Sequence, residues 1–365
     1  IATPFAKPLY VMLKPAGAHC NLACKYCYYL EKNHLYQNTP RHLMTDEMLE
    51  QFTREYIEAQ TMPQVLFTWH GGEPLMRSID FYRKALALQK KYAHGKQIDN
   101  VIQTNGTLLT DEWCEFFAQN HWLVGISIDG PQEYHDHYRV TPAGKPSWEK
   151  VMQGISLLKK HRVEWNAMAV VNAYNAEHPL EFYHFFRDNG CQYLQFTPIV
   201  ERLTEHEDGR TLASLADVSH EDNYEDVGNA KKQKENQEIT IADFSVTSEQ
   251  WGKFLCTIFD DWVRHDVGKI FVEIFDCTLA NWVGVQPGIC AYSKECGHAG
   301  VMEHNGDVFS CDHFVFPEYK LGNIQDKSLI DMLYGEKQQA FSRLKHTSLP
   351  RSLRYLSANF RASSG

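Results

Sequence analysis

The sequence lacks the segments that would anchor a protein in a membrane or export it. No apolar run is long enough to span a bilayer, and the first residues, Ile1-Ala-Thr-Pro, do not form a signal peptide. An initiator Met is also missing, so we expect that the true beginning of the chain lies upstream. We therefore expect no membrane among the partners of this protein.

Basic residues are scarce relative to acidic ones. The 36 Lys and Arg residues are outnumbered by 46 Asp and Glu residues, which gives a net charge of −10. Because no basic stripe is present to neutralise phosphates, a nucleic-acid partner is not expected. The rest of the composition, with 43% hydrophobic and 22% charged residues, is ordinary for a globular protein with a sizeable core.

Ten cysteines occur in a chain without an export signal, so metal or catalytic ligands are a better interpretation than disulfides. Six of them form two groups, and the other four stand alone in apolar or helical surroundings. The first group is Cys20, Cys24 and Cys27, and the second is Cys290, Cys296 and Cys311. We expect the other four to be small buried side chains without chemistry: Cys114, Cys191, Cys256 and Cys277.

The first group lies in the stretch Cys20-Asn-Leu-Ala-Cys24-Lys-Tyr-Cys27, which we call the cysteine loop. Three thiolates at this spacing can bind one inorganic cluster. Since an iron–sulfur cluster is normally held by four cysteines, a set of three implies one iron kept open for another ligand. A structural zinc site or three ordinary core cysteines are the alternatives at this point.

Residues 8 to about 198 alternate between buried strands and amphipathic helices. Such alternation predicts a parallel sheet with helical crossovers, either an open doubly wound sheet or a partial barrel. The predicted strands are 9–13, 65–69, 100–103, 123–127, 164–171 and 193–197. The predicted helices are 46–59, 79–94, 111–119, 147–160 and 179–188, with capping residues at Thr45, Thr110 and Ser147.

Gly-containing motifs follow three of the predicted strands, at the end where ligands gather in α/β folds. They are His70-Gly71-Gly72-Glu73-Pro74, Gln103-Thr104-Asn105-Gly106 and Ser127-Ile128-Asp129-Gly130-Pro131. The two glycines of the first motif allow close approach of a ligand, and their carbonyls or the Glu73 carboxylate could accept hydrogen bonds from an ammonium group. Each motif alone could be an ordinary turn.

The order of C-x3-C-x2-C, GGEP, QTNG and S-x-D-G-P resembles the radical S-adenosylmethionine (SAM) enzymes. The resemblance is greatest to the anaerobic sulfatase-maturating enzymes and extends from about residue 8 to 346. It implies a partial (β/α)6 barrel and a SAM-binding [4Fe–4S] cluster on the cysteine loop. It also implies that SAM is contacted by Tyr26, Gly72, Ser127, Arg139 and Leu194. The alternative for Arg139 is a surface ion pair with Glu133 or Asp136. His70 departs from the Gln that is usual before GGEP.

The C-terminal part returns to regular structure at a predicted helix, 248–267, whose aromatic stripe indicates core packing. A strand at 270–275, a hairpin at 300–311 with Asn305-Gly306 in its turn, and a helix at 329–341 are predicted next. The hairpin brings Cys311 towards Cys290 and Cys296, which favours a second metal site, with zinc as the alternative. The resemblance implies an auxiliary [4Fe–4S] cluster there and makes Asp312 the proton acceptor. Otherwise Asp312 is a carboxylate hydrogen-bonded to a turn or to His313.

Two segments do not fit this pattern. Residues 201–240, with eleven acidic and five basic side chains, predict an exposed and partly disordered insertion. After His346 the further cysteines of the family are absent, so an auxiliary cluster has three visible ligands at most, an incomplete set. The interpreted domains are a radical SAM core at 8–200, an acidic linker at 201–245, an incomplete SPASM-like region at 246–346 and an atypical tail at 347–365 that resembles a truncated or frameshifted end.

The resemblance implies that a 5′-deoxyadenosyl radical oxidises a Ser or Cys side chain of a sulfatase to formylglycine. The implied partners are a sulfatase polypeptide and an electron donor such as flavodoxin or ferredoxin. Because reduced clusters are sensitive to oxygen, a cytoplasmic location is expected. The alternatives are another peptide-modifying radical SAM enzyme, which forms thioethers or other crosslinks, and a non-catalytic, metal-stabilised relic.

Overall fold

The computed structural model describes residues 9–32, 43–203, 240–293 and 295–347. Its strands are β1 (Tyr10–Leu13), β2 (Gln64–Trp69), β3 (Gln97–Thr104), β4 (Leu123–Ser127), β5 (Glu164–Val171), β6 (Tyr193–Pro198), β7 (Arg202–Leu203), β8 (Thr240–Ile241), β9 (Phe271–Val272), β10 (Ala299–Met302), β11 (Asp307–Phe309) and β12 (Lys320–Asn323). Strands β1 to β6 are the six strands predicted for the N-terminal half. Their observed ends differ from the predicted ones by three residues or fewer.

The helices are α1 (Tyr29–Lys32), α2 (Asp46–Ala59), α3 (Ile79–Tyr92), α4 (Asp111–Gln119), α5 (Gln132–Tyr138), α6 (Trp148–Lys160), α7 (Pro179–Asp188), α8 (Ser248–His265), α9 (Glu273–Trp282), α10 (Leu329–Leu333) and α11 (Glu336–Thr347). The side chains of Thr45 and Thr110 accept hydrogen bonds from the first turns of α2 and α4, as predicted. Ser147 does not cap α6, because its hydroxyl donates to the backbone oxygen of Arg139 at 2.6 Å. No helix among these residues is long and apolar enough to cross a membrane.

Strands β1 to β6 are neighbours in chain order, and each is parallel to the next. A doubly wound sheet reverses its strand order at a switch point, and β1 to β6 contain no such reversal. When each right-handed crossover adds its strand on the same side of the preceding one, all the helices lie on one face of the sheet. The sheet then curves towards a barrel. The partial barrel is therefore the correct one of the two predicted architectures.

The C-terminal hairpin belongs to the same sheet. Strand β10 pairs in parallel with β1, β11 pairs antiparallel with β10, and β12 pairs antiparallel with β11. At the other edge β9 pairs in parallel with β6. The predicted hairpin is confirmed, and its turn places Gly306 at a φ of 88°, a conformation that favours glycine. Because β10 lies directly beside β1, the residues that follow the hairpin are held close to the cysteine loop.

Several C-terminal predictions are wrong. The strand predicted at 270–275 is reduced to β9, and α9 begins at Glu273 with acidic residues in its first turn, which suit a helix N-terminus. The helix predicted at 329–341 is broken at Gly335 and becomes α10 and α11. Only proline is a poorer helix former than glycine. The predicted packing of the α8 stripe is confirmed for Phe254, which is buried, and for Trp251, Leu255 and Trp262, which pack against the core, but Phe259 and Val263 are exposed.

The predicted acidic insertion lies mostly outside the described residues, as does the tail beyond Thr347. The two ends of the insertion are held together, since β7 and β8 pair antiparallel. Three of the four isolated cysteines are buried as predicted: Cys114, Cys191 and Cys277. Cys256 is exposed on α8, so that prediction is wrong.

Candidate active site

The cysteine loop follows β1 and packs as a unit. The three cysteines share one small apolar cluster with Tyr26 and Ile199, and Cys24 is the most buried of the three. The Sγ atom of Cys20 accepts a hydrogen bond from the backbone N–H of Leu22 at 3.4 Å. Burial raises the pKa of the Cys20 and Cys24 thiols to about 12. The predicted metal ligands of the first group are thus gathered in one place.

The GGEP motif lies directly against the cysteine loop. The backbone N–H of Gly72 donates to the carbonyl of Gly17 at 2.9 Å, and that of Glu73 donates to the carbonyl of His19 at 2.8 Å. A Cβ atom on Gly72 would lie 2.2 Å from the carbonyl oxygen of His19. Only glycine therefore allows this approach of two backbone segments.

We expect Gly72→Ala to destabilise the protein and to weaken its binding of iron. The added methyl group meets backbone atoms of Ala18 and His19, which lead into the cysteine loop and cannot move aside as a flexible side chain can. Overpacking of this kind costs about 1–3 kcal/mol. Urea denaturation and iron content measure the two effects. The control is Gly252→Ala within α8, where the new Cβ meets nothing within 4 Å. An unchanged stability and iron content in Gly72→Ala would contradict this account of the packing.

Glu73 joins two turns of the structure, and its role as an ammonium acceptor stays a prediction. One of its carboxylate oxygens accepts from the N–H of Leu75 at 2.9 Å and the hydroxyl of Thr104 at 2.8 Å, and the other accepts from the N–H of Asn105 at 2.8 Å. Burial raises the pKa of Glu73 to about 7, against the opposing effect of these hydrogen bonds. The side chain joins the turns that follow β2 and β3.

The QTNG motif touches the cysteine loop through Asn105. Its side-chain amide donates to the Sγ atom of Cys20 at 3.6 Å and to the side-chain oxygen of Asn21 at 2.9 Å. Thr107 is on the same turn, and its hydroxyl accepts from the amide of Asn21 at 2.8 Å. Hydrogen bonds to ligand sulfurs are one of the ways in which proteins tune clusters.

Tyr26 and Arg139 meet at Asp129, the acidic residue of the S-x-D-G-P motif. The Nε atom of Arg139 lies 2.9 Å from Oδ2 of Asp129, and the hydroxyl of Tyr26 donates to the same oxygen. Asp129 is fully buried, and its other oxygen accepts from the N–H of Val170 at 2.9 Å. Arg139 is therefore not in a surface ion pair with Glu133 or Asp136. Its guanidinium is fixed beside Tyr26 and close enough to Cys24 to oppose the burial that raises the pKa of that thiol.

Ser127 lies on the polar inner face of the barrel. Its hydroxyl accepts from the side-chain amide of Gln103 at 2.9 Å. Gln103 reaches Ser127 by crossing Gly125, where a Cβ would lie only 2.0 Å from the Gln103 oxygen. Leu194, in contrast, has its side chain in the main core, 2% exposed. The structure thus places Ser127 at the inner face and leaves Leu194 only its backbone for contact with a ligand.

Asp312 is the centre of a buried group that we call the Asp312 cluster. Its members are Lys14, Tyr28, Tyr29, Lys32, Glu303 and Asp312. One carboxylate oxygen of Asp312 accepts from the hydroxyls of Tyr28 and Tyr29, each at 2.6 Å, and the other lies 2.6 Å from Nζ of Lys14. The Nζ atom of Lys32 donates to the backbone oxygen of Asp312. Neither a turn nor His313 is the partner of this carboxylate, so that alternative is wrong.

The charges of the Asp312 cluster keep Asp312 ionised. Burial alone would raise the pKa of Asp312, but Lys14 and Lys32 outweigh burial and hold that pKa well below its usual value. Burial lowers the pKa of Lys32 to about 8. His70 lies beside this cluster, since its Nδ1 atom is 3.2 Å from the hydroxyl of Tyr29. A carboxylate without its proton is the form that a base requires.

The second group of cysteines lies close to the hairpin. Cys311 directly precedes Asp312, Cys290 is in a short helical turn, and the backbone N–H of Cys296 donates to the carbonyl of Ser342 on α11 at 3.4 Å. Burial raises the pKa of the Cys311 thiol to about 11, and Asp312, Cys290 and Cys296 contribute to this rise.

Among the described residues, no three His, Cys, Asp or Glu side chains are arranged to hold a single metal ion. The donor chemistry nevertheless fits an iron–sulfur cluster. Thiolates are the ligands of such clusters, and the cysteine loop offers three, with N–H donors from Leu22 and Asn105 directed at the first of them. Sequence reasoning missed Lys14, Lys32 and Glu303, the contact of Gln103 with Ser127, and the paired role of Tyr28 and Tyr29, because the partners of these residues are not their neighbours in sequence.

Comparison with known families supports this interpretation of the site. A family model described as the radical SAM superfamily matches residues 15–186, and a second, described as an iron–sulfur cluster-binding domain (SPASM), matches residues 294–352. The second match includes Cys296 and Cys311 and favours iron–sulfur chemistry over the zinc alternative. Cys290 lies just outside the matched residues.

Curated relatives cover nearly the whole chain. The serine-type anaerobic sulfatase-maturating enzyme of Bacteroides thetaiotaomicron is 66% identical over 347 residues, which are 95% of this chain and 80% of that protein. The cysteine-type anaerobic sulfatase-maturating enzyme of Clostridium novyi is 31% identical, over 93% of this chain and 83% of that protein. The resemblance drawn from the motifs is confirmed.

Solved structures agree with the fold. Native anSMEcpe with bound AdoMet, which is SAM, superposes with a TM-score of 0.77 at 29% identity and covers 93% of this chain and 84% of that chain. The same protein with AdoMet and a peptide named Cp18Cys gives 0.74 at 28% identity, with the same coverage. The chain therefore belongs to the anaerobic sulfatase-maturating enzymes, which are radical SAM enzymes with an iron–sulfur SPASM region.

Proposed function

We propose that this protein oxidises a Ser side chain of a sulfatase polypeptide to formylglycine, with Asp312 as the proton acceptor. The observation that carries the proposal is the buried, ionised Asp312 held by Lys14 and two tyrosines beside the cysteine loop. Ser is favoured over Cys as the target because identity is 66% to a serine-type relative and 31% to a cysteine-type one.

When bound, the cluster and SAM would supply the one-electron chemistry that removes a hydrogen atom from Cβ of the target Ser. In the complete reaction the Ser side chain loses that hydrogen atom to the adenosyl group of SAM, its hydroxyl proton to Asp312 and one electron, which the auxiliary cluster would accept, and a C=O bond forms. Asp312 accepts the proton. Its carboxylate is already ionised, so the base needs no prior activation.

The residues that hold the cofactors are part of the same proposal. Cys20, Cys24 and Cys27 bind the first cluster, and Cys290, Cys296 and Cys311 bind the auxiliary one. Tyr26, Gly72, Ser127, Arg139 and Leu194 contact SAM. Arg139 suits an anionic group because its planar guanidinium is already oriented by Asp129, and Gly72 lets the backbone approach a ligand closely.

The remaining assignments of the proposal concern the chain as a whole. The core is residues 8–200, the linker 201–245, the SPASM-like region 246–346 and the tail 347–365. The electron donor is a small redox protein such as flavodoxin or ferredoxin. A reducing, cytoplasmic compartment suits clusters that react with oxygen. Loss of activity on exposure of the reduced protein to air would agree with this assignment.

The test is anaerobic turnover of a sulfatase-derived peptide. The full chain is reconstituted with iron and sulfide, given SAM and dithionite, and incubated with peptides that carry Ser, Cys or Ala at the target position. We expect 5′-deoxyadenosine and an aldehyde that reacts with a hydrazide probe from the Ser peptide, less from the Cys peptide and none from the Ala peptide.

The aldehyde probe separates the two enzyme candidates. A crosslink-forming enzyme would also remove two hydrogens from the peptide but would leave no aldehyde, so a mass change alone does not decide. Iron binding without any 5′-deoxyadenosine would indicate the non-catalytic relic. A Cys peptide that turns over faster than the Ser peptide would overturn the assignment of the target.

A further inference from the structure

Lys14 is a fully enclosed positive charge near the active site. It directly follows β1, its side chain is 0% exposed, and its Nζ atom lies 2.9 Å from Glu303 and 2.6 Å from Asp312. Glu303 directly follows β10 and is 1% exposed. The two acidic partners are therefore held by one ammonium group at the junction of the core strand and the C-terminal hairpin.

Stability does not explain this arrangement. Removing charges from water costs several kcal/mol per ion in real proteins, and replacement of a buried ion pair by apolar residues is often neutral or stabilising. A lysine with two carboxylates fixes the geometry of the groups that it joins. Here it fixes Asp312, the group that must meet the target hydroxyl.

The hydrogen bonds on Asp312 show what Lys14 adds. Tyr28 and Tyr29 both donate to Oδ2, and among the described residues Lys14 is the cation at Oδ1. Lys32 contacts the backbone oxygen of Asp312. Without Lys14 the carboxylate would be held through Oδ2 only, and nothing among these contacts would fix the position of Oδ1. The ring of Tyr29 lies 4.6 Å from Nζ of Lys14, which limits the ammonium group to its present position.

We propose that Lys14 is a positioning residue that sets the orientation of the Asp312 carboxylate towards the substrate hydroxyl, and that Glu303 holds Lys14 in place for this task. The inference rests on the proposed function, since it needs a Ser hydroxyl at Asp312. Lys14 itself does not touch the substrate. Its loss therefore separates radical formation from completion of the oxidation.

The test uses a double variant, because Lys14→Met alone leaves two buried carboxylates without their cation. Lys14→Met with Glu303→Gln removes one positive and one negative charge and restores the balance. If Lys14 served only to neutralise Glu303, this double variant would behave as the unchanged protein. We expect instead that it folds, binds iron and SAM normally and completes fewer oxidations.

Two readouts are compared between the full-length proteins. The first is the number of 5′-deoxyadenosine molecules per formylglycine, which we expect to rise about tenfold or more, since misplacement of a reacting group by about 1 Å can cost 100-fold. The second needs no turnover: affinity for the Ser peptide relative to the Ala peptide, measured by fluorescence anisotropy with SAM and without reductant.

In the unchanged protein we expect the Ser hydroxyl to improve binding about tenfold, as for a hydrogen bond to a charged group. In the double variant this preference is expected to fall below about twofold, and Lys14→Arg is expected to restore part of it, since it keeps the positive charge. An unaltered Ser preference in the double variant would overturn the inference. Absence of formylglycine from the unchanged protein would overturn the proposed function instead, while the binding comparison would still decide the role of Lys14.

Discussion

Asp312→Asn is expected to abolish formylglycine formation while SAM is still cleaved. Asparagine keeps the size of the side chain and can still accept from Tyr28 and Tyr29, but it cannot take a proton at neutral pH. Loss of a positioned base costs about 100-fold to 10,000-fold in rate. The cysteine loop is not altered, so 5′-deoxyadenosine should form without product. Chromatography of 5′-deoxyadenosine and a hydrazide assay of the peptide measure the two steps.

Asp266→Asn is the matched control. Asp266 is also a buried carboxylate that accepts from a tyrosine, Tyr183 at 2.8 Å, but it lies between α8 and β9, away from the cysteine loop. We expect this variant to lose some stability and to keep its ratio of 5′-deoxyadenosine to formylglycine. If Asp312→Asn produced formylglycine at the rate of the control, another group would have to be the base.

The strands and helices of the core were predictable because their physics is local. Buried parallel strands are apolar throughout, and the helices between them repeat their apolar residues at helical spacing. Local sequence patterns do not show whether such units form an open sheet or a barrel, since that depends on the order of the strands in the sheet. The strand order depends on the side of the sheet to which each crossover returns, and this is not visible in any local pattern.

Sequence reasoning missed contacts that no local pattern shows. Lys14 follows an apolar strand, and its partner Glu303 is 289 residues away. Arg139 was compared with Glu133 and Asp136, whereas the structure pairs it with Asp129 in the preceding turn. For Glu73 the structure adds three hydrogen bonds from within the protein to its carboxylate. Residue type suggests chemistry, and only the surroundings show whether the group is free to perform it.

The predicted site motifs lie together because each follows a strand end of the same barrel. The structure adds that they touch: Gly72 lies against His19, and Asn105 donates to Cys20. Through these contacts the cysteine loop and the loops after β2 and β3 pack together as one unit. A substitution in one motif is therefore expected to shift the positions of the thiols.

Cys24→Ala is expected to remove about four irons per chain and to reduce SAM cleavage to background, since a cluster held by three cysteines cannot spare one of them. Cys24 is 8% exposed and packs in one apolar cluster with Leu22, Tyr26 and Ile199. Iron is counted by colorimetry after anaerobic reconstitution, and the cluster is followed by its visible absorption. The loss should leave any iron on Cys290, Cys296 and Cys311 unchanged, because those thiols lie beside the hairpin.

Cys114→Ala is the matched control, since Cys114 is a buried thiol on α4 that contacts only the apolar core. It is expected to lose a little stability from the small cavity and to keep all of its iron. The comparison separates ligation from burial, because both variants delete one buried sulfur and only the Cys24 sulfur lies in a cluster with two other thiols and close to Arg139. Equal iron contents in the two variants would mean that Cys20, Cys24 and Cys27 do not hold the cluster, and the assignment of SAM chemistry to this end of the barrel would fail with it.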